Sequence, residues 1–268
     1  MNPEDMNPKD MNAVPRSASE FLWQVGGAGW VLTVLYFIGQ IVAQAAWKTP
    51  YSLIDNRVSD LGSTACGRTV ANTLICSPLH AVMNLTFILT GGLILVGLFL
   101  IRSIWPRRRL TTWGLALLGV AGAGTMLVGL SPENVNVVLH VIGALNIPAG
   151  NVAMILLGLA IWRDRRGMAG FSVVAGVFGL LGMLAGPFLV ILTGHGGGLA
   201  ERIALYPLII WLIVFGLAIF TRKLSAPDSP ESIKNCDVRT VSQNRGNDGI
   251  QPAKAQAEVT SRAKAAGM

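Results

Sequence analysis

Residues 81–101 read AVMNLTFILTGGLILVGLFLI, and residues 102–109 that follow read RSIWPRRR. The first stretch carries no charge, and at about 1.5 Å of helical rise per residue it crosses the ~30 Å of a hydrocarbon core. The second is a basic turn with a proline and a tryptophan, the composition of a loop at a membrane surface. The same alternation recurs in both directions along the chain. Apolar runs long enough to span a bilayer lie at Val25–Ala46, Ala81–Ile101, Trp113–Leu130, Val137–Ile161, Phe171–Leu192 and Ile203–Phe220. The expected fold is therefore an all-α membrane protein, a bundle of six transmembrane helices.

Composition agrees. Hydrophobic residues make up 52% of the 268, charged residues only 13%, and mean hydropathy is +0.54. Soluble domains average about 25% charged residues. The net charge of +7 has no soluble basic domain to carry it, so no nucleic-acid partner is expected; asymmetric loops explain it instead. Arg102, Arg107, Arg108 and Arg109 follow the second run, Arg163, Arg165 and Arg166 the fourth, Arg222 and Lys223 the sixth. The opposite loops hold only Lys48, Arg57, Arg68 and Arg202. The positive-inside rule then places the protein in the cell membrane as a multi-pass chain with both termini cytoplasmic. The first apolar run begins late and is too long for a secretory signal, so no cleaved leader is expected. Residues 1–20, which repeat Met-Asn-Pro at Met1 and Met6 and Met-Asn at Met11, are expected as a disordered cytoplasmic N-terminal tail. Residues 223–268, polar and nearly free of aromatics, are expected as a disordered C-terminal one, leaving 21–222 as the transmembrane domain. Seven tryptophans, Trp23, Trp30, Trp47, Trp105, Trp113, Trp162 and Trp211, fall mostly near the ends of runs, as interfacial anchors do.

The polar groups are one-sided. His80, His140 and His195 all fall at the exterior ends of runs, with Asp55, Asp60, Glu133 and Glu201. The loop 47–80 is the largest outer segment and has room for a folded cap. It contains Cys66 and Cys76, which an oxidising exterior would allow to bridge, at a gain of roughly 2–3 kcal/mol; two free thiols are the alternative. Cys236 lies in the C-terminal tail. Ser77-Pro78 and Ser131-Pro132-Glu133 resemble N-caps with proline at the first helical position. That reading puts His80 above Asn84 on one face, and His140 and Asn151, about three turns apart, on another. Asn146 and Pro148 between them suit a broken helix. Amides and imidazoles facing lipid are costly, so these faces are expected to line the bundle or a wet cavity. Pro187 and Pro207 are tolerated membrane prolines, and Gly182 and Gly186 read as a helix-packing pair.

Asn56-Arg57-Val58-Ser59-Asp60-Leu61-Gly62 resembles the Ser-Asp-Leu-Gly signature of the prokaryotic membrane family known as domain of unknown function 998. Asn84 in the second run, the glycine-rich course of runs two to five, and Gly198-Leu199-Ala200-Glu201-Arg202 leading to Trp211 are similar to that family as well. The likeness covers about residues 25–222. It implies a shared fold and a single extracytoplasmic feature built from Ser59, Asp60, Leu61, Gly62, Glu201 and Arg202, and it carries no activity. Within that feature Asp60 and Arg57 are expected to pair with Arg202 and Glu201.

The expected role is a non-enzymatic binding, sensing or accessory protein with an outer polar pocket drawn from Ser59, Asp60, His80, Asn84, His140, Asn151, His195, Glu201 and Arg202. Its partners would be the lipid bilayer and a small molecule or lipid at the outer face; no cofactor is expected. Three alternatives carry other chemistry. A transporter would use the Asn146–Asn151 break. A metal-dependent hydrolase of lipid or amide substrates would hold zinc on His80, His140, His195 and Asp60. A haem carrier would use His80 and His140 as axial ligands.

Overall fold

The computed structural model describes residues 18–48, 50–68 and 74–221. Both expected tails, the Met1, Met6 and Met11 repeat, Arg222, Lys223 and Cys236 therefore lie outside the described residues, apart from Ala18–Glu20, which are helical.

Helices α1 (Ala18–Val31) and α2 (Leu35–Ala45) form the first span, joined through a short 3-10 turn at Leu32–Val34. The second and third spans are α3 (His80–Ile101) and α4 (Arg109–Leu130). The fourth is split into α5 (Val137–Ala144) and α6 (Asn146–Ala160), and the last two are α7 (Arg166–Thr193) and α8 (Gly197–Phe220). Among the described residues six helical segments are thus long and apolar enough to cross a membrane. The break at Leu145 has a local cause. Pro148 has no N–H to give the carbonyl of Ala144, and its ring crowds that carbonyl. Leu145 N–H bonds instead to Ile142 O in a tighter turn (3.2 Å), and Ala149 N–H resumes the ladder on Leu145 O (3.1 Å).

Two N-termini differ from expectation. Ser77 does not cap α3: its hydroxyl donates to Leu61 O (2.7 Å), and α3 starts at His80 after Leu79, which makes no side-chain cap. Ser131-Pro132-Glu133 forms a turn closed by Val135 N–H on Pro132 O (2.9 Å), and α5 is capped by Asn136, whose side-chain amide oxygen accepts from Leu139 N–H (3.0 Å).

The spans pack in a ring: α1 against α3 and α8, α3 against α4, α4 against α6, α6 against α7, α7 against α8. Its interior holds two apolar clusters. The cluster nearer the basic turns contains Trp30, Trp105, Trp211 and Phe215, with Trp211 and Phe215 stacked at 4.2 Å and Trp105 and Phe215 at 5.7 Å. Trp30 and Trp211 are fully buried, which corrects their reading as interfacial anchors. Their indoles are satisfied inside, Trp211 Nε1 donating to Ser172 Oγ (2.8 Å) and Trp30 Nε1 to Ile94 O (3.3 Å). Trp113 and Trp162 do face outward. The second cluster, with Tyr36, Met83 and Phe87, takes in Val58 and Leu61 from the loop between the first two spans.

A candidate binding cavity under the cap

The loop between α2 and α3 folds as a cap. Ser59–Gly62 forms a 3-10 turn in which all four residues are buried, and Gly67–Arg68 (β1) pairs antiparallel with Leu74–Ile75 (β2) beside a Cys66–Cys76 disulfide. The cap is tied to α8 through polar groups. The guanidinium of Arg202, buried in the first turns of α8, donates through Nη1 to Leu53 O (2.9 Å), Asn56 O (2.7 Å) and Gly198 O (2.9 Å). Its Nη2 donates to the Tyr51 hydroxyl (2.6 Å). Glu201 accepts from Val58 N–H (2.6 Å), and Leu199 N–H donates to Ile54 O (2.8 Å). Gly198 is required by this approach, because a Cβ there would overlap Asn56 O. On the other side, Asn84 Nδ2 donates to Gly62 O (2.9 Å), and a Cβ on Gly62 would strike the Asn84 amide oxygen.

Between cap, the α4–α5 turn and the α7–α8 turn lies a cavity of about 640 Å³, with Asp55, Arg57, Asp60, Glu133 and His195 as its charged or titratable lining. Val137 of α5, Val190 of α7, Ile75 and the Gly194–Gly197 backbone complete much of the wall. Asp55 Oδ1 takes the His195 imidazole (3.1 Å) and Gly196 N–H (3.1 Å), and Oδ2 takes the Ser52 hydroxyl (2.9 Å). The Gly196 N–H, helped by Ser52 and His195, holds the Asp55 carboxyl below its ordinary range. Asp60 behaves oppositely. Its carboxylate accepts Arg57 N–H (2.8 Å), yet burial and the negative charge of the neighbouring Glu133 push its pKa up to about 7. Burial likewise pushes the Tyr51 hydroxyl up to about 12, against the neighbouring Arg202. The cap also reaches the α4–α5 turn through Thr64 and Asn134, joined by two hydrogen bonds of 3.0 and 2.9 Å.

Of the residues anticipated for an outer pocket, Asp60 and His195 line this cavity. Asn84, Glu201 and Arg202 support the cap from beneath, and Ser59 is a buried residue of the cap's own turn. The anticipated ion pairs are corrected: Arg202 meets backbone carbonyls and Tyr51, and Glu201 meets a backbone N–H. Among the described residues the side-chain ion pairs are Asp55–His195 and, at the opposite end, Arg108–Asp164. His80 and His140 do not join His195. Each engages a nearby carbonyl through Nδ1, His80 that of Ser77 (3.0 Å) and His140 that of Ser131 (2.9 Å). Among the described residues no three His, Cys, Asp or Glu side chains gather as a metal-ligand set, so the anticipated grouping of His80, His140, His195 and Asp60 does not form. Asn151 is buried deeper, donating to Ile147 O and Ala204 O (both 2.9 Å), where it holds α6 to α8. Asn146 likewise donates to Thr125 Oγ1 (2.8 Å). Asp55, Arg57 and Glu133 belong to the cavity and were not singled out as site residues. The signal for them was only that they share the outer side.

No curated protein and no solved structure matches the chain. A family model does, over residues 31–218, and those bounds take in the Ser59–Gly62 turn, the carboxyl lining of the cavity and the Glu201-Arg202 support: the chain belongs to the family described as protein of unknown function (DUF998).

Proposed function

We propose that this membrane protein binds a small molecule on the extracytoplasmic side, in the cavity between its cap and the mouth of the bundle, as a binding, sensing or accessory subunit. The observation that carries the reading is the cavity itself. Its roughly 640 Å³ falls within the ~300–1,000 Å³ of small-molecule sites, and like them it sets a few convergent polar groups among apolar walls. The cap is held by buried hydrogen bonds to α8 and α3, so the cavity is preformed and need not be assembled by the ligand.

The test is a thermal-stability screen of the purified protein against amines, amino acids, sugars and short-chain lipids, run in parallel on Ala65→Trp, which fills the cavity from the cap. A ligand present at about a hundred times its Kd stabilises the native state by about 2.7 kcal/mol. The expected result is a ligand that raises the midpoint of the wild type and leaves Ala65→Trp unmoved. Equal shifts in both proteins, or none in the wild type, would overturn the reading.

A further inference from the structure

The ring of helices is closed on one side of the membrane and open on the other, and the opening leads to the cavity. The fourth and fifth spans touch through their inner halves. Gly158 of α6 meets Ala169 and Ser172 of α7, and Gly176 and Gly179 of α7 meet Asn151 and Ile155 of α6. Beyond Gly179 the two spans part. The cap-side half of α7 turns to α8, Gly182 lying against Ile203 and Gly186 against Ala200. The cap-side half of the fourth span, α5, turns away to α4, Gly143 lying against Gly124 and Val128. Each parting half contains a proline-weakened stretch, Pro148 at the α5–α6 break and Pro187 within α7. The two faces left apart are apolar and at least partly open: Val138 and Val141 on α5 are exposed, and Met183, Pro187 and Val190, which continue on α7 the line of Gly176 and Gly179, are half-buried, exposed and half-buried in turn. Val137 and Val190, one from each face, are also walls of the cavity. The charged chamber is therefore continuous with an apolar cleft between two spans.

We propose that the cavity is reached sideways from the cap-side leaflet and takes an amphiphile with an amine or ammonium head group, its chain lying in the cleft between α5 and the cap-side half of α7. This rests on the cavity being a binding site and names what it binds. The head-group class follows from charge. Asp55, Asp60 and Glu133 face one guanidinium and one imidazole, and Asp55 is already engaged by His195 and Gly196. The Asp60 and Glu133 carboxyls share the lining of the cavity. Two carboxylates lining one cavity attract a cation, and an ammonium has N–H groups enough to donate to both. An anionic head group would meet that pair with repulsion.

The experiment uses the full chain in phosphatidylcholine nanodiscs and three probes: a primary amine on a twelve-carbon chain bearing a photoreactive diazirine, the same chain with a carboxylate head, and ethanolamine, which has no tail. Labelled peptides are mapped by mass spectrometry, and ethanolamine binding is read by thermal shift. The amine amphiphile is expected to label α5 and the cap-side half of α7 about tenfold or more above the carboxylate. Glu133→Gln is expected to lower amine labelling by a similar factor and leave carboxylate labelling unchanged. Val190→Trp, which blocks the cleft, is expected to lower amphiphile labelling and spare ethanolamine binding. Equal labelling by the two heads, or labelling spread evenly over the lipid-facing helices, overturns the proposal. Ethanolamine binding as tight as that of the amphiphile overturns the sideways route and leaves the cavity standing as a site. Binding by none of the three overturns both.

Discussion

Asp60 is a carboxyl group whose surroundings favour its proton. The ordinary value for an aspartate is near 4; here burial and the facing Glu133 bring it to about 7. Between these values the folded cap holds a proton that the unfolded chain has released. Stability therefore falls as pH rises from about 4 to about 7 and is level above that. Asp55, whose carboxyl is held low, acts in the opposite sense and only below its unfolded value. The expected outcome is that hydrogen exchange in a peptide covering residues 56–64, corrected for intrinsic rates, quickens across that window in the wild type. Asp60→Asn should remove the dependence, and Glu133→Gln should shift its midpoint to lower pH. A wild-type profile unchanged in Asp60→Asn would show that the group is misassigned. Little of this was visible in the sequence, because Glu133 lies 73 positions from Asp60 and only the fold brings them together. His80 and His140 show the reverse: carbonyls three and nine residues away, exposed by local turns, engage their rings, and such local partners leave no mark in residue identity.

At the scale of elements, the cap is the part on which the site depends, and its seat on α8 is polar and close. Arg202 is 6% exposed. Its Nη1 serves backbone carbonyls while Nη2 reaches the Tyr51 hydroxyl, a span across two nitrogens that a lysine's single ammonium lacks. The close approach that permits this is set by Gly198. Gly198→Ala is expected to push the cap off α8 at Asn56 and to destabilise the protein by about 1–3 kcal/mol, the range for overpacking a well-fitted contact. Gly67→Ala is the matched control, since a Cβ there meets nothing within 4 Å. Thermal unfolding in detergent separates the two. A Gly198→Ala midpoint within error of Gly67→Ala would mean that the cap adjusts freely and is not seated as described. The Gly198–Arg202 stretch was recognisable in the sequence as one feature with Ser59–Gly62. What it does there was not, because its acceptors are backbone carbonyls and leave no mark in residue identity.

For the whole molecule, the spans were legible because a hydrocarbon core imposes length and apolarity on every crossing segment, whatever its packing. Packing inside the ring was not: Trp30 and Trp211 are of a residue type that favours the membrane interface, and only the ring contacts bury them. Sidedness is a separate matter. The structure segregates two ends, one with the cap and the α4–α5 and α7–α8 turns, the other with Arg107, Arg109, Arg163 and Arg166. By the positive-inside rule the basic end is expected in the cytoplasm. The expected outcome, in a Cys236→Ser background that keeps the Cys66–Cys76 pair, is that an impermeant maleimide labels Asn134→Cys in intact cells. Arg107→Cys should react only after permeabilisation, and the opposite pattern would invert the topology. The disulfide gives a second reading of the same question. It joins residues ten apart and should contribute about 2.5–3 kcal/mol by loop closure, but it persists only in an oxidising compartment. If the cap end faces outward, denaturing alkylation of protein taken directly from cells should leave Cys66 and Cys76 unmodified until a reductant is added. Ready alkylation of both would place the cap, and the cavity beneath it, on the reducing side of the membrane.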